Sequence, residues 1–287
     1  MSNSLLSLYK HCLLCPRKCG VDRTVGSLGF CGASAEVSIS TYQVHKFEEP
    51  PISGSAGSGA IFFSYCTARC AYCQNYNFSH GQRVKIISID RLCEIMLELQ
   101  NKGCHNINFV TPTHYIPSVV VALGKAKQEG LKIPIVYNTS GYECLDTLKL
   151  LDGLIDIYMP DAKYSDDALA KEHSQFEDYS KYNILALKEM YKQVGNLELD
   201  ANGVAKKGLI IRHLVLPGYL DNTYGVLKAI SEDISKDVYI SLMSQYSPTS
   251  YVKNNEKLSR RITSQEYKKA KSYFIEFGFK NGWTQEI

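Results

Sequence analysis

From residue 60 onward, short apolar runs alternate with amphipathic segments, and this alternation constrains the fold more than any other feature of the chain. Each run has the length of a buried strand, and the segments between runs have helical periodicity. Strands that alternate with helices form a parallel sheet with right-handed crossovers. The predicted strands cover 60–64, 106–110, 133–138, 155–159, 209–216 and 238–243.

Curling such a sheet gives a partial (β/α)6 barrel of the TIM type, which is the α/β fold that we expect, with a flat doubly wound sheet as the alternative. Both architectures place ligands at the carboxyl ends of the strands.

Residues 1–57 are rich in Cys, Gly, Pro and Ser and show little periodicity. We therefore expect a cysteine-rich, metal-binding segment over 1–57 and the barrel over 58–287. A hairpin is predicted at 197–203, turning through Asn202 and Gly203.

Composition limits the possible partners of the chain. Apolar residues make up 45% of the sequence, charged residues 21%, and the net charge is +3, so neither nucleic acid nor a membrane is expected as a partner. The first residues do not resemble a signal peptide, and no stretch reaches membrane-spanning length, so a cytoplasmic location is expected. Ten cysteines in a cytosolic chain favour metal ligation over disulfides.

Three cysteines directly follow the first predicted strand. Cys66, Cys70 and Cys73 have the spacing C-x3-C-x2-C, with Tyr72 just before the last. Three thiolates hold three irons of a [4Fe–4S] cluster and leave the fourth iron open. S-adenosylmethionine (SAM) is the ligand that such an iron usually takes, and one electron then cleaves it to a 5′-deoxyadenosyl radical. A zinc site closed by His80 is the alternative.

A second cysteine group lies near the N-terminus. Cys12, Cys15, Cys19 and Cys31 have the spacing C-x2-C-x3-C-x11-C, which provides four thiolates within a segment too short for a core of its own. Zinc and an auxiliary iron–sulfur cluster both accept this ligand set, and the sequence leaves the two open.

Several motifs together resemble one family. The cysteine loop, the block 12–32, the run 45–54 and the segments 110–115 and 242–246 are similar to the pyruvate formate-lyase activating enzyme-related (PflX-type) proteins of the radical SAM superfamily, over nearly the whole chain. The resemblance implies an oxidoreductase that takes a hydrogen atom from a protein, in the manner of an activase, or from a small molecule. It also implies a low-potential reductant of flavodoxin or ferredoxin type, and a glycyl-radical enzyme as a candidate protein substrate.

The same resemblance assigns roles to residues that follow the strands. The turns at 137–142 and 159–163 are similar to those of the activating enzymes, which implies that Asn138 and Ser140 lie near the ribose of SAM. Thr139 and Asp161 become candidate ligands of a monovalent cation. Arg212 lies in a strand similar to the one whose arginine reaches the SAM carboxylate, and a buried arginine needs an anion.

The remaining candidates follow from position and residue type. In the radical SAM superfamily the segment after the second strand takes the SAM amino group, so the resemblance implies that Thr113 or His114 accepts a hydrogen bond there. Lys163 is either a cofactor contact or an ion-pair partner of Asp161. Candidate cofactor-binding residues are also Tyr72, Asn75, Thr111 and Gln245, and the candidate catalytic residues are His114, Glu48 and Glu49.

Two other functions fit the cysteines. A zinc-binding scaffold protein would hold two zinc ions, and an iron–sulfur electron carrier would hold two clusters without binding SAM. The carrier leaves Arg212 and the strand-end turns without a role.

Overall fold

The computed structural model describes residues 2–286. The strands of this part of the chain are β1 Ser38–His45, β2 Ser58–Phe63, β3 Lys85–Ile86, β4 Ile107–Val110, β5 Ile135–Thr139, β6 Ile157–Pro160, β7 Glu198–Leu199, β8 Ala205–Leu214, β9 Tyr239–Met243 and β10 Asn281–Thr284. The helices are α1 Ser2–Leu6, α2 Pro50–Ser53, α3 Tyr76–Ser79, α4 Ile89–Asn101, α5 Ile116–Gln128, α6 Leu145–Lys149, α7 Asp167–Ser174, α8 Tyr179–Val194, α9 Leu220–Asp233 and α10 Ser264–Glu276.

The strands form one sheet in the order β10-β9-β8-β6-β5-β4-β2-β1-β3, and β7 pairs with β8 as the predicted hairpin. All six predicted strands are present, as β2, β4, β5, β6, β8 and β9, and each is parallel to the one before it. For these six parallel strands, order along the sheet therefore follows order along the chain without a reversal. A doubly wound sheet requires a reversal, so that alternative is wrong. The sheet is wound in one direction, as in a partial barrel, and its edges β3 and β10 are not paired with each other among the described residues.

Three strands were not predicted. β1 is antiparallel to β2 and comes from residues 1–57, so the sheet extends into the segment expected to be cysteine-rich and irregular. β3 pairs only with Ser38 and Ile39 of β1, and β10 lies at the opposite edge, beside β9. All three strands are short or partly exposed, so they lack the apolar runs that mark the six central strands, and β3 and β10 form the edges of the sheet.

Helix α4 shows how the local sequence sets the crossovers. The Oγ of Ser88 accepts a hydrogen bond from the Arg91 N–H at 3.0 Å and caps the helix. Gly103, with a φ of 81°, follows its last turn. The side chains of one face are buried against β2, β4 and α5: Leu92, Cys93, Ile95, Met96 and Leu99. Cys93 is thus a small buried apolar side chain.

The N-terminal residues pack against the barrel. The Tyr9 hydroxyl contacts the Ser118 hydroxyl of α5 at 2.9 Å, and the Arg23 guanidinium donates to the His114 carbonyl at 2.6 Å. These contacts hold the cysteine-rich segment beside the carboxyl ends of β2 and β4. Within residues 2–286, every helix is too short or too polar to cross a bilayer.

Candidate active site

The carboxyl ends of the parallel strands open into one cavity of about 630 Å³. It is the place where the fold predicts a ligand. Most of the candidate residues line it: Glu48, Cys66, Cys70, Cys73, Asn75, Thr111, Asn138, Thr139, Ser140, Asp161, Lys163, Arg212 and Gln245. Residues that lie more than a hundred positions apart in the chain therefore meet at a single site.

The three cysteines of the loop after β2 face this cavity, and each sulfur has a hydrogen-bonding neighbour. The Ala68 N–H donates to Cys66 Sγ at 3.4 Å, and the Ser174 hydroxyl donates to Cys70 Sγ at 3.0 Å. The Ser79 hydroxyl lies 3.4 Å from Cys73 Sγ. Burial raises the pKa of the Cys66 thiol to about 12, so thiolates there require a bound cation. The chemistry of this donor set fits an iron–sulfur cluster bound at three corners.

A zinc site at this loop would need a fourth ligand, and the described part of the chain brings none to the three cysteines. The ring of His80 stacks on Tyr76 at 3.8 Å, and its Nδ1 lies 3.0 Å from the Ser79 hydroxyl. Within residues 2–286, no group of three or more Cys, His, Asp or Glu side chains is arranged to hold a single metal ion.

A network of charged residues lines the same cavity. Arg212 donates to Asp161 Oδ1 from Nε at 2.9 Å, to Glu48 Oε1 from Nη1 at 3.2 Å, and to Asn138 Oδ1 from Nη2 at 2.8 Å. Lys163 Nζ lies 2.6 Å from Asp161 Oδ2. Burial alone would raise the pKa of Asp161, but Arg212 and Lys163 outweigh it and lower that pKa. Two cations and two carboxylates are therefore balanced in the wall of the cavity.

Glu48 enters this network from the N-terminal segment. Its Oε2 accepts hydrogen bonds from the amides of Asn108 at 3.0 Å and Asn138 at 3.3 Å. The neighbouring Glu49 does not line the cavity. It accepts from the Ser241 hydroxyl at 2.9 Å and the Trp283 indole at 2.6 Å, and burial raises its pKa. These contacts favour a structural role for Glu49, joining the N-terminal segment to β9 and β10.

Three further candidates also lie behind the cavity wall. His114 is buried, its Nε2 lies 2.8 Å from the Ser64 carbonyl, and burial lowers its pKa to about 3. Tyr72 is buried with its hydroxyl 2.5 Å from that of Tyr164. Thr113 donates to Glu143 at 2.7 Å. These positions give His114, Tyr72 and Thr113 contacts within the protein, and their predicted roles remain predictions.

Glu143 was not anticipated. Its Oε1 accepts hydrogen bonds from Thr113 and, at very short range, from Thr139, the candidate cation ligand. Burial raises the pKa of Glu143 to about 7. It thereby ties together the segments that follow β4 and β5. An acidic residue just after the Ser140-Gly141 turn of a buried strand was the available signal.

Two non-glycine residues at strand ends have left-handed backbone. Tyr65, directly before Cys66, has a φ of 71°, and Thr111, directly after β4, has a φ of 59°. Both line the cavity. Such conformations cost free energy and persist where the surrounding structure imposes them, often at functional sites.

Comparisons with known proteins agree with this geometry. The sequence profile of the radical SAM superfamily matches residues 60–224. An uncharacterised protein of Methanocaldococcus jannaschii is 29% identical over 278 residues, which span 92% of this chain and 74% of that protein.

Solved structures with similar folds have low sequence identity to the chain. SuiB of Streptococcus suis, solved with its precursor peptide SuiA, has a TM-score of 0.53 at 15% identity, covering 77% of this chain and 47% of SuiB. SuiB has also been solved with SAM, at a TM-score of 0.52 and 13% identity, covering 77% of this chain and 48% of SuiB. HydG, a maturase of the [FeFe]-hydrogenase, has a TM-score of 0.51 at 12% identity, covering 78% of this chain and 50% of HydG. The chain thus spans about half the length of these structures, and they support its fold alone.

Proposed function

The chain belongs to the radical SAM superfamily, and we propose that it uses a [4Fe–4S] cluster at Cys66, Cys70 and Cys73 to initiate hydrogen-atom abstraction from a protein or small-molecule substrate. Membership of the superfamily implies a [4Fe–4S] cluster, SAM and an external reductant. The assignment of the three cysteines as cluster ligands and the nature of the substrate are our proposal. The observation that carries it is the meeting of three cysteine thiols and the Arg212 network in one cavity at the strand ends.

When bound, the cluster and SAM supply reductive cleavage of the sulfonium and a 5′-deoxyadenosyl radical. The chain's own residues would position them. Asn138 and Ser140 line the same cavity as the cysteine loop, and the family resemblance puts the ribose near them. Arg212 is fixed from three sides by Asp161, Glu48 and Asn138, so its guanidinium is oriented before any ligand arrives.

The substrate would occupy the part of the cavity that is lined by β1. Thr41, Gln43 and His45 alternate along β1 and line the cavity together with Phe62 and Phe78. This wall combines hydrogen-bonding groups with aromatic surface, so it suits an organic group that is partly polar. We propose that the substrate is a protein, such as a glycyl-radical enzyme, or a small molecule, with a flavodoxin or ferredoxin as the reductant.

The function is tested by product analysis. Anaerobically reconstituted protein supplied with dithionite and SAM should form 5′-deoxyadenosine, and Cys70→Ala should abolish it. Cys93→Ala removes a buried thiol of α4 that does not line the cavity and should leave the nucleoside yield close to wild type. A fully loaded cluster that yields no nucleoside would contradict the proposal and favour an electron carrier. A colourless protein holding two zinc ions would favour the scaffold.

A further inference from the structure

The four N-terminal cysteines are brought together by tight turns. The Gly20 N–H donates to the Cys12 carbonyl and the Lys18 N–H to the Cys15 carbonyl, both at 3.0 Å. Lys18 and Gly20 have positive φ values of 44° and 67°. Gly29 leaves space for the neighbouring cysteine, since a Cβ there would lie 2.9 Å from Cys19 Sγ. The backbone thus holds Cys12, Cys15, Cys19 and Cys31 around a common pocket.

Each of the four sulfurs faces a hydrogen-bond donor. The Phe30 N–H donates to Cys19 Sγ at 3.4 Å, and the backbone amides of Arg17 and Ala33 lie near the sulfurs of Cys15 and Cys31. The Arg23 Nη1 lies 3.7 Å from Cys12 Sγ. At Cys66 of the catalytic loop the donor is the N–H of the residue two positions later, and the amides near Cys15 and Cys31 have the same relative position. A thiol is a weak acceptor, whereas donors aimed at sulfur stabilise a thiolate.

Three arginines surround this pocket without carboxylate partners. Arg17, Arg23 and Arg69 contact the segment, yet the arginine ion pairs of residues 2–286 involve other arginines only. Arg23 is 1% exposed, and the Nη2 of Arg17 is buried without a hydrogen-bond partner among the described residues. A buried guanidinium requires a compensating anion. Four thiolates around a metal centre carry the negative charge that this pocket lacks.

Arg69 joins this pocket to the catalytic cysteine loop. Its Nη2 donates to the carbonyls of Phe30 at 2.7 Å and Cys31 at 3.3 Å, and its Nη1 donates to the Cys66 carbonyl at 2.9 Å. Arg17 Nε also reaches across, to the Thr67 carbonyl at 3.1 Å. One guanidinium therefore touches both cysteine sets.

We propose that Cys12, Cys15, Cys19 and Cys31 bind a second iron–sulfur cluster, adjacent to the one at Cys66, Cys70 and Cys73. A single zinc ion needs its sulfurs at about 2.3 Å from one point. Neither cysteine set of the described chain is arranged to hold a single ion, and the set at Cys66, Cys70 and Cys73 shares this property with the N-terminal set. Four thiols supply one ligand for each corner of a cubane. Arg69 links this set to Cys66, so a redox-active group here would lie beside the catalytic cluster, whereas a zinc ion would carry no electron.

Four ligands leave no iron open, so this cluster does not bind SAM. Its role rests on the proposed function. The second cluster accepts one electron from a low-potential protein donor and passes it to the neighbouring cluster, which is reduced as the second is reoxidised.

Iron and acid-labile sulfide analysis of anaerobically reconstituted protein tests the proposal. Wild type should hold about eight irons and about eight sulfides per chain, twice the content of one cubane. The triple variant Cys66→Ala, Cys70→Ala, Cys73→Ala should keep about four of each and a reducible paramagnetic signal. In wild type, full reduction should broaden this signal by coupling between neighbouring clusters.

The outcomes separate the two proposals. One zinc per chain, or a colourless triple variant, overturns the second cluster. About four irons in a wild type that still forms 5′-deoxyadenosine overturns it while the proposed function stands. About eight irons without nucleoside formation supports the second cluster and contradicts the function. The triple variant leaves the N-terminal turns intact, so the result does not depend on whether variants of those turns fold.

Discussion

Arg212 and Asp161 form a buried ion pair in which Nε and Nη2 both approach Oδ1, at 2.9 and 2.8 Å. Their side chains are 15% and 13% exposed. Asp161 also pairs with Lys163, so one carboxylate serves two cations from different strand ends. Removing one partner of such a set leaves charges buried without compensation, which costs more than the intact pair contributes.

We expect Asp161→Asn to lower the free energy of unfolding by about 3 kcal/mol, because Arg212 and Lys163 would remain buried with only Glu48 to balance them. Urea unfolding measures the change. Asp146→Asn is the matched control, since its pair with Lys149 is 3.6 Å long and the Asp146 side chain is 99% exposed. That control should leave the midpoint unchanged. Equal midpoints for both variants would show that the buried network does not stabilise the fold.

A second prediction concerns Glu143. Glu143→Leu removes the acceptor shared by Thr113 and Thr139 and leaves two buried hydroxyl donors unsatisfied. We expect a loss of about 2 kcal/mol in unfolding free energy. Glu143→Gln keeps a side-chain oxygen and should remain closer to wild type. If the Gln and Leu variants unfold at the same denaturant concentration, the hydrogen bonds are not the cause.

The third prediction is a pH dependence due to His213. Burial lowers its pKa from 6.5 to about 4, and its ring nitrogens contact the Ala162 carbonyl and the Thr223 hydroxyl. Between these pH values the unfolded chain binds more protons at this site than the folded protein does. The stability that the folded protein gains from keeping His213 neutral is therefore fully present above pH 6.5, and it is lost as the pH falls toward 4.

His213→Gln should remove this contribution. The difference in unfolding free energy between wild type and variant should be constant above pH 6.5 and shrink from pH 6.5 to 4. Denaturant titrations at several pH values measure it. Parallel pH profiles would show that the protonation of His213 is not linked to folding.

The fourth prediction tests the N-terminal turns. Gly29→Ala would place a Cβ 2.9 Å from Cys19 Sγ and 3.0 Å from Cys19 Cβ, so Cys19 must move. We expect the variant to lose about half of its reconstituted iron while still binding the cluster at Cys66. Gly124→Ala in α5 meets no atom within 4 Å and should keep the full iron content. Full iron in both variants would show that the position of Cys19 is not critical.

The sequence predicted what depends on local pattern. Apolar runs and helical periodicity located the six parallel strands, and the direct succession of strand and cysteine loop located the cavity. The sequence also indicated that a buried Arg212 needs an anion. In the structure that anion is a carboxylate of the chain itself, Asp161.

What the sequence could not predict depends on tertiary contacts. His114 follows β4 at the expected place, yet its ring lies under the Ser64 carbonyl and away from the cavity, because a 3-10 turn at Thr113–Tyr115 redirects the chain. Glu143 gains its role through Thr139 and through Thr113, which lies thirty residues earlier. β1 has little apolar content, and its place in the sheet is set by its pairing with β2.

The contact between Glu48 and Arg212 spans 164 positions of the chain. Such a separation delays assembly, because the intervening strands must be in place before the two side chains can meet. During synthesis on the ribosome, the cysteine loop emerges long before β8 does. A pocket with balanced charge therefore exists only once β8 has joined the sheet, and iron delivered to the nascent chain earlier would meet thiols that are not yet enclosed.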